Sequence, residues 1–394
     1  MAAEVLATAG LHVDLYEHMP SVGRKLLLAG RSGLNLTNSE PTDEMVARFG
    51  TAPLVGEAVR QYTPSALLEW AAGLGQSTYV GSSGRVFPTS FRATPLLRAW
   101  LARLTELGVS IHVRHRWLGW GSGSGGEVDP HVHRFQTTGG RTVDTRSDVT
   151  VVALGGASWP RVGSDGSWVP DFVAAGLDVR ALRPANCGVH LNWSRVFAER
   201  YAGAPLKNTR VSIGATMARG DIMVTDRGLE SGPIYTVSSE VRDAIDRDGT
   251  CTLVVDLHPD LTVDAVADRL SSRRPKDSAT TSLRRSVGLS PVAVALLREA
   301  TGNALPSEAR QLAQLIKAVP LAVQSVAPLE RAISTAGGLS FDELDSQFMI
   351  RSLAGTFVAG EMLDWEAPTG GYLLQASFST AVAAARGAIA WLAN

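Results

Sequence analysis

Residues 11–38 read LHVDLYEHMPSVGRKLLLAGRSGLNLTN, and this stretch decides the fold class. HVDLYE is typical of a β-strand that ends in an acid, Glu17, and the glycine- and asparagine-rich turn GRKLLLAGRSGLNLTN follows it. The preceding residues, MAAEVLATAG, predict a helix that ends at Gly10. A helix, a strand ending in an acid and a glycine-rich turn form the second half of a dinucleotide-binding βαβ unit. We therefore expect an α/β protein with a parallel, Rossmann-like nucleotide-binding domain.

The first half of such a unit is a strand followed by G-x-G-x-x-G. The acid usually follows that glycine loop by about 20 residues, and sixteen residues precede Glu17. We therefore expect the first strand and the loop to lie upstream of Met1, with Met1 an internal methionine of a longer helix. The alternative is a chain that lacks the pyrophosphate loop, holds little cofactor and has no catalytic activity.

Composition excludes several classes of protein. The chain has 394 residues, which predicts two or three domains, and 45% of them are hydrophobic, which is enough for full cores. A charged fraction of 19% and a net charge of −1 give no basis for binding nucleic acid or an anionic membrane. The two cysteines, Cys187 and Cys251, favour a reducing compartment. No uncharged apolar stretch reaches the ~20 residues of a membrane helix, so we expect a soluble, cytoplasmic protein.

Patterning along the chain places the nucleotide-binding domain at both ends. Helical patterns occur at 43–60, 64–73 and 94–107, separated by a predicted loop at 81–93, and short strands at 108–150 predict a β-meander. Buried strands are predicted at Val149–Ala153 and in TFVAGE (356–361), and an alanine-rich helix at 376–392 closes the chain. We expect the nucleotide-binding domain at 1–180 and 331–394. The insertion has a β-rich part at 181–256 and 318–330, and a helical part at 257–317.

Acid and glycine features in this domain fit a single dinucleotide site. Glu17 is placed to accept hydrogen bonds from ribose hydroxyls, the alternative being a solvated acid at a strand end. Gly155-Gly156 after a buried strand predicts close backbone approach to a ligand at the carboxyl edge of the sheet, and Gly360-Glu361 repeats the pattern. Gly370-Gly371 opens the last helix, whose N-terminus favours negative charge.

The chain resembles a known family in these segments. GRKLLLAGRSGLNLTN is similar to the GRK…SGGGRCN-x-TN segment of the HI0933-like FAD-binding flavoproteins, which include enzymes of the aminoacetone oxidase and BaiN types. The resemblance extends to residues 84–93, 153–166, 230–239 and 332–385, and is most specific from Gly337 to Ser377. It implies a Rossmann-like FAD domain with an inserted β-barrel-like domain and a small helical domain.

The resemblance also implies a function and a set of site residues. It indicates an FAD-dependent oxidoreductase that acts on a small molecule, by amine oxidation or by reduction of an unsaturated substrate, with NAD(P)H or oxygen as candidate redox partner. Lys25 and the amides that open the last helix are expected to tune the flavin, and no acid–base residue is identified. The FAD contacts that it implies are Glu17, Gly23, Arg24, Lys25, Asn35, Gly155, Gly156, Gly360, Glu361, Gly370, Gly371 and Leu374.

Besides the absent first glycine loop, the chain departs from the family pattern at residues 31–35. Where the family has Gly-Gly-Arg-Cys-Asn, this sequence has Arg31-Ser32-Gly33-Leu34-Asn35. Gly33 and Leu34 therefore occupy the usual arginine and cysteine positions, and a role of that Arg-Cys pair does not transfer to this chain.

Other clusters of polar residues have simpler explanations than a site. His131 and His133 share a strand face, but no carboxylate or cysteine accompanies them at ligand spacing, so we expect solvated histidines and no metal. The basic groups Arg273-Arg274-Pro275-Lys276 and Arg284-Arg285 lack interleaved aromatic residues, which favours a solvated face over nucleic-acid binding.

Four residues near the glycine turns are considered for catalysis or for ligand contact. Ser158 and Ser164 have no histidine partner in a nucleophile motif, so hydrolase chemistry has no support. Trp159 and Trp365 flank two of the turns, where each either lines a ring-shaped ligand or packs in the core.

Overall fold

The computed structural model describes residues 1–50, 52–123, 127–272 and 278–393. The basic group Arg273-Arg274-Pro275-Lys276 lies outside the described residues, as does part of the glycine-serine tip predicted at 121–126. The α-helices are α1 (Ala2–Thr8), α2 (Arg24–Ala29), α3 (Thr42–Ala47), α4 (Pro53–Gln61), α5 (Pro64–Gly73), α6 (Ala93–Glu106), α7 (Val169–Ala174), α8 (Arg195–Tyr201), α9 (Gly232–Asp248), α10 (Val263–Ser271), α11 (Ala279–Arg285), α12 (Pro291–Ala300), α13 (Ala309–Lys317) and α14 (Tyr372–Leu392).

The strands are β1 (Asp14–Glu17), β2 (Thr37–Asn38), β3 (Thr78–Val80), β4 (Arg85–Pro88), β5 (Ser110–Val113), β6 (Arg116–Ser122), β7 (Val128–Gln136), β8 (Thr142–Arg146), β9 (Thr150–Val152), β10 (Val179–Ala185), β11 (Val189–Leu191), β12 (Pro205–Ile213), β13 (Thr216–Val224), β14 (Gly228–Glu230), β15 (Cys251–Asp256), β16 (Val319–Val326), β17 (Ser334–Leu339) and β18 (Thr356–Val358). Short 3-10 turns occur at Pro160–Val162 and Gly360–Met362, among others.

The chain divides into two compact units, residues 1–183 with 334–394 and residues 184–333. The first unit contains parallel strand pairs, which are typical of a nucleotide-binding domain. β1 pairs with β5, Glu17 lying opposite Val113, and β9 pairs with β18, Val152 lying opposite Val358. The predicted α/β class is therefore confirmed. The division of the insertion into separate β-rich and helical domains stays a prediction.

The long helix α14 is the centre of the first unit's core. Its small side chains, among them Ala376, Ala384 and Ala388, are fully buried, which lets the helix pack closely against α1 and α4. Val55 of α4 and Val358 of β18 belong to the same hydrophobic cluster. This packing holds the N-terminus of α14 beside β2, which positions the candidate site.

The second unit is built around a closed antiparallel barrel with strand order β11-β14-β13-β12-β15-β16. Val211, Leu229 and Val255 are fully buried or nearly so, and they share one hydrophobic cluster with Leu297 and Ile316 of the helices that follow the barrel strands. The barrel confirms the predicted barrel-like insertion.

Three local predictions in the first unit were wrong. The helical pattern at 43–60 is two helices, α3 and α4, because Pro53 starts a new helix at its first position. The predicted loop at 81–93 contains β4, the central strand of the β2-β4-β3 sheet. The predicted meander at 108–150 begins with β5, which pairs in parallel with β1, so only β6, β7 and β8 form the meander.

Helix α9 was missed inside the stretch predicted as β-rich. Ile234, Val237 and Val241 recur at helical spacing and are fully buried, and Pro233 lies in the first turn. The β-branched residues of this segment favour a strand locally, and packing against the barrel strands overrides that preference. Among the described helices, none is long and apolar enough to span a lipid bilayer.

Candidate functional site

A partly buried ion pair joins two of the predicted site residues. Lys25 lies in the first turn of α2, and Glu361 lies in the 3-10 turn that follows β18. The Lys25 Nζ atom is 2.6 Å from the Glu361 Oε2 atom, and the two side chains are 31% and 18% exposed. The pair therefore brings a positive and a negative charge together at the carboxyl end of a parallel strand, where α/β sheets bind ligands.

Two serines complete the coordination of the Lys25 ammonium group. Its Nζ donates to Ser158 Oγ at 2.8 Å and to Ser164 Oγ at 3.1 Å, in addition to Glu361. An ammonium has three N–H donors, so all three are used. Sequence reasoning considered these serines only as nucleophiles and missed this role. The sequence signal that could have identified this role is the position of both serines shortly after the Gly155-Gly156 turn.

Main-chain amides hold the Glu361 carboxylate from the other side. Gly156 N donates to Oε2 at 3.4 Å, and Thr335 N donates to Oε1 at 3.1 Å. Thr335 Oγ1 in turn accepts from Ala157 N at 2.9 Å. The network thus joins the segments after β9 and β18 to β17. No motif in the sequence pointed to Thr335.

The glycines around this network differ in what surrounds them. A Cβ on Gly156 would overlap the Thr335 side chain, so glycine is needed there for packing. Gly155 and Gly360 have φ of +73° and +83°. A Cβ on Gly155 would meet only Ser164 Oγ, at 3.6 Å, and one on Gly360 would meet nothing within 4 Å. The open space beside these two glycines leaves the backbone accessible to a ligand.

The N-terminus of α14 is built on two glycines. Gly371 has φ of +104°, and a Cβ there would overlap the backbone of Thr37. Asn38 Nδ2 donates to Gly370 O at 3.1 Å, and Thr37 Oγ1 contacts Gln375 Oε1 at 2.8 Å. The first amides of an α-helix have no partner within the helix, so a 21-residue helix presents donors and a positive dipole end here.

Three predicted residues lie at the end of β1 and the start of α2. Glu17 Oε1 accepts from Met19 N at 2.8 Å, so part of the carboxylate already closes the turn after β1. Gly23 has φ of +71° at the N-cap of α2 and faces Leu97. Arg24 donates to Ser21 Oγ at 3.1 Å. The side-chain hydrogen bonds of Glu17 and Arg24 go to Met19 and Ser21, and not to the Lys25–Glu361 pair.

The remaining predicted residues lie around a small hydrophobic cluster. Leu374 packs against the cluster that contains the fully buried Leu34 and Leu36. Between those two leucines, Asn35 Oδ1 is buried without a hydrogen-bond partner, as is Arg24 Nε. Buried polar atoms are almost always paired in folded proteins, so these two atoms are available to pair with a ligand or with water. Free donors, free acceptors and open glycines suit a ligand as large and polar as FAD.

The histidine prediction needs a correction. His133 is 5% exposed, with Nδ1 accepting from Trp117 Nε1 at 3.3 Å and Nε2 bonded to Thr150 Oγ1 at 2.7 Å. Burial lowers the pKa of His133 to about 4, so it is a neutral core residue and not a solvated one. In the described part of the chain, His, Cys, Asp and Glu side chains form no group that could hold a metal ion.

Comparison with protein families decides the relationship of this chain to known proteins. The family described as "HI0933-like protein Rossmann domain" matches residues 1–387. The chain belongs to the HI0933-like family. The predicted cofactor, FAD, and the predicted class, FAD-dependent oxidoreductase, are therefore confirmed.

Relatives of this HI0933-like protein are enzymes. A protein of Clostridium scindens, described as 3-dehydro-bile acid delta(4,6)-reductase, is 23% identical over 395 residues, which cover 95% of this chain and 92% of the relative. Among solved structures, a 3-ketosteroid delta1-dehydrogenase of Sterolibacterium denitrificans is similar in fold, with a TM-score of 0.52 and 12% identity over 99% of this chain and 97% of that chain. Mycobacterium smegmatis Sdh1 has a TM-score of 0.51 and 14% identity over 100% of this chain and 67% of its own.

Proposed function

We propose that this chain reduces a carbon–carbon double bond conjugated to a carbonyl group in a small, apolar substrate. The observation that supports a redox site in this unit is the network of Lys25, Glu361, Ser158 and Ser164 at the ends of β9 and β18. The residues proposed to hold FAD are Glu17, Gly23, Arg24, Lys25, Asn35, Gly155, Gly156, Gly360, Glu361, Gly370, Gly371 and Leu374.

Each part of the site has a distinct task in this proposal. Bound FAD supplies the hydride chemistry, and the protein supplies position and electrostatics. The free amides at the start of α14 favour an acceptor atom that gains negative charge. All three Lys25 donors are used within the network, so in this proposal the Lys25–Glu361 pair holds the turns after β9 and β18 in place beside the cofactor. Glu17 accepts from ribose hydroxyls through the part of its carboxylate that Met19 does not use.

The relative from Clostridium scindens supports the choice of substrate class. Its name describes the reduction of delta(4,6) double bonds in a 3-dehydro bile acid, and the similarity extends over 95% of this chain. Such a reduction adds two electrons and two protons across the double bond, and we propose a reduced nicotinamide as the electron donor. Oxidation of an amine with oxygen as the acceptor is the alternative that the experiment must exclude.

A cytoplasmic location is part of the same proposal. Cys187 and Cys251 are both free thiols in the described chain, as in proteins of reducing compartments. Burial raises the pKa of the Cys187 thiol to about 11, so this cysteine stays protonated and unreactive at neutral pH.

The visible spectrum and anaerobic half-reactions test this function. Purified protein should show flavin absorption bands, and NADH or NADPH should bleach them in the absence of oxygen. A 4-ene-3-ketosteroid added to the reduced protein should restore the bands and yield one equivalent of the reduced steroid per flavin. Free reduced FAD serves as the control. Restoration by oxygen alone, combined with bleaching by amines, would contradict the proposal. A colourless protein that binds no added FAD would support a non-catalytic chain.

A further inference from the structure

Trp159 has a backbone conformation that large side chains rarely adopt. Its φ and ψ are 61° and 60°, in the left-handed region. Glycine adopts this region freely, and asparagine or aspartate do so at modest cost, whereas a bulky residue is a clear outlier there. Such strained residues persist only where the surrounding structure determines the conformation, and they are concentrated at functional sites.

The residues around Trp159 hold this turn in place. Ser158, the preceding residue, is bonded to Lys25, and Ala157 N donates to Thr335 Oγ1. On the other side, Val162 N donates to Trp159 O at 3.0 Å within the 3-10 turn Pro160–Val162. The strain at Trp159 is therefore maintained by the same network that fixes the Lys25–Glu361 pair.

The indole of Trp159 lies outside the ring contacts and hydrophobic clusters found among the described residues of the first unit. In the part of the chain that the structure describes, it belongs to no hydrophobic cluster, makes no ring contact and forms no Nε1 hydrogen bond, although it is half-buried. In the described residues, the tryptophans with an aromatic ring partner are Trp70, Trp100, Trp117, Trp120, Trp168, Trp193 and Trp365. Trp365 is a core residue whose Nε1 donates to Gly360 O at 2.9 Å, which answers one of the two open tryptophan assignments.

We propose that the Trp159 indole forms one wall of the site and stacks on a flat conjugated ring bound beside Lys25. The inference rests on the proposed function, and it adds a specific residue that recognises the ring. Trp159 directly follows Ser158, whose Oγ lies 2.8 Å from Lys25 Nζ, so its Cα is one residue, about 3.8 Å, from a residue of the network. The ring belongs either to the flavin or to the substrate, and indole stacking suits both.

Substitution of Trp159 separates stacking from stability. We would prepare W159F, W159A and W159G and measure the Kd for FAD, the KM for a 4-ene-3-ketosteroid and the melting temperature without FAD. Loss of the indole in W159A and W159G should raise either the Kd for FAD or the KM for the steroid about tenfold, which is the size expected when a stacking face is lost. W159F keeps a ring and should stay within about threefold of wild type. W159G should melt at a higher temperature than W159A, because glycine adopts φ > 0 without strain.

The outcomes assign the ring or overturn the proposal. A raised Kd for FAD identifies the flavin as the stacked ring, whereas a raised KM with unchanged Kd identifies the substrate. Unchanged constants in both W159A and W159G overturn the proposal, as does an affinity loss that follows the melting temperatures of the two variants. The control W391A removes a 40% exposed indole from the last turn of α14 and should change neither constant.

Failure of the substrate proposal remains distinguishable from failure of the stacking proposal. If the wild-type protein binds FAD but reduces no enone, the substrate class is wrong; a raised Kd for FAD in W159A then still supports the stacking proposal, and an unchanged Kd overturns it. If the wild-type protein binds no FAD and no steroid, both proposals are overturned.

Discussion

Lys25 donates its three ammonium hydrogens to three different acceptors, on Ser158, Ser164 and Glu361. A lysine on a flexible stem is usually mobile, and this one is held in one place by groups from two distant turns. The restraint means that the cation and the Glu361 carboxylate are held in one fixed arrangement at the proposed site. Preorganised charges of this kind bind more strongly than charges that must be ordered on binding.

Replacement of Lys25 should weaken FAD binding. The Lys25→Met variant leaves the Glu361 carboxylate with its two amide donors but without a cation, so the turns after β9 and β18 lose their common anchor. A hydrogen bond to a charged group contributes about 1.5–3 kcal/mol, so we expect the Kd for FAD to rise by roughly 10- to 100-fold. Titration of cofactor-free protein with FAD measures this change.

The matched control for this experiment is Lys207→Met, which replaces an exposed lysine of β12. It should leave the Kd for FAD unchanged. Equal affinity of Lys25→Met and wild type would show that the network does not contact the cofactor.

Residue roles of this kind were only partly predictable. Lys25 and Glu361 were expected near one cofactor, and the structure does bring them together. Ser158, Ser164 and Thr335 were not expected, because a hydroxyl that accepts from a lysine has no local sequence signature. His133 was assigned to solvent because strand alternation indicates two faces and does not indicate which of them is covered.

Helix α14 shows how a secondary-structure element positions the site. Its buried alanines allow close packing in the core. The helix begins directly after Gly371, which lies against the backbone of Thr37. The helix therefore has little freedom to shift without moving β2. The glycines before a helix were predicted as ligand contacts, and the structure adds a packing reason for Gly371.

A side chain at Gly371 should disturb both the fold and the cofactor site. In Gly371→Ala the new Cβ overlaps the Thr37 backbone, and the residue keeps a φ of +104°, which alanine disfavours. We expect a loss of at least about 2 kcal/mol in the free energy of unfolding, together with weaker FAD binding. Chemical denaturation and FAD titration measure the two effects.

Gly232→Ala is the control for a glycine at a helix start. Gly232 is the first residue of α9, its φ is not positive, and a Cβ there meets nothing within 4 Å. Its free energy of unfolding should change by less than about 0.5 kcal/mol. Similar stabilities for the two variants would contradict the role assigned to Gly371.

At the scale of the whole molecule, residues 184–333 form a unit that is continuous in sequence. Its barrel is closed, so the sheet has no unpaired edge, and the helices after the barrel strands share its hydrophobic core. A segment of this length with its own core is typical of an independent domain.

Residues 184–333 should therefore fold when expressed alone. We expect circular dichroism to show a single cooperative thermal transition, because one core holds the barrel and the helices together. The fragment should also bind no FAD, since every proposed FAD contact lies in the other unit. A fragment without a cooperative transition would show that the unit depends on the rest of the chain.

Resemblance to the HI0933-like family implied the FAD cofactor, and the sequence by itself determined the α/β class and the positions of the glycine turns. These follow from local patterns, since strand alternation, helix periodicity and the need for glycine at positive φ depend on neighbouring residues. Only the tertiary structure decided which groups meet: Lys25 and Glu361 are 336 positions apart, and Lys25 and Ser158 are 133 apart. Their contact depends on how β9, β18 and α2 pack, and hydrogen-bond partners across such distances leave no periodic trace in the chain. Packing against the barrel strands made a helix of α9, and the hydrogen bonds of Ala157 and Ser158 hold the strained turn at Trp159.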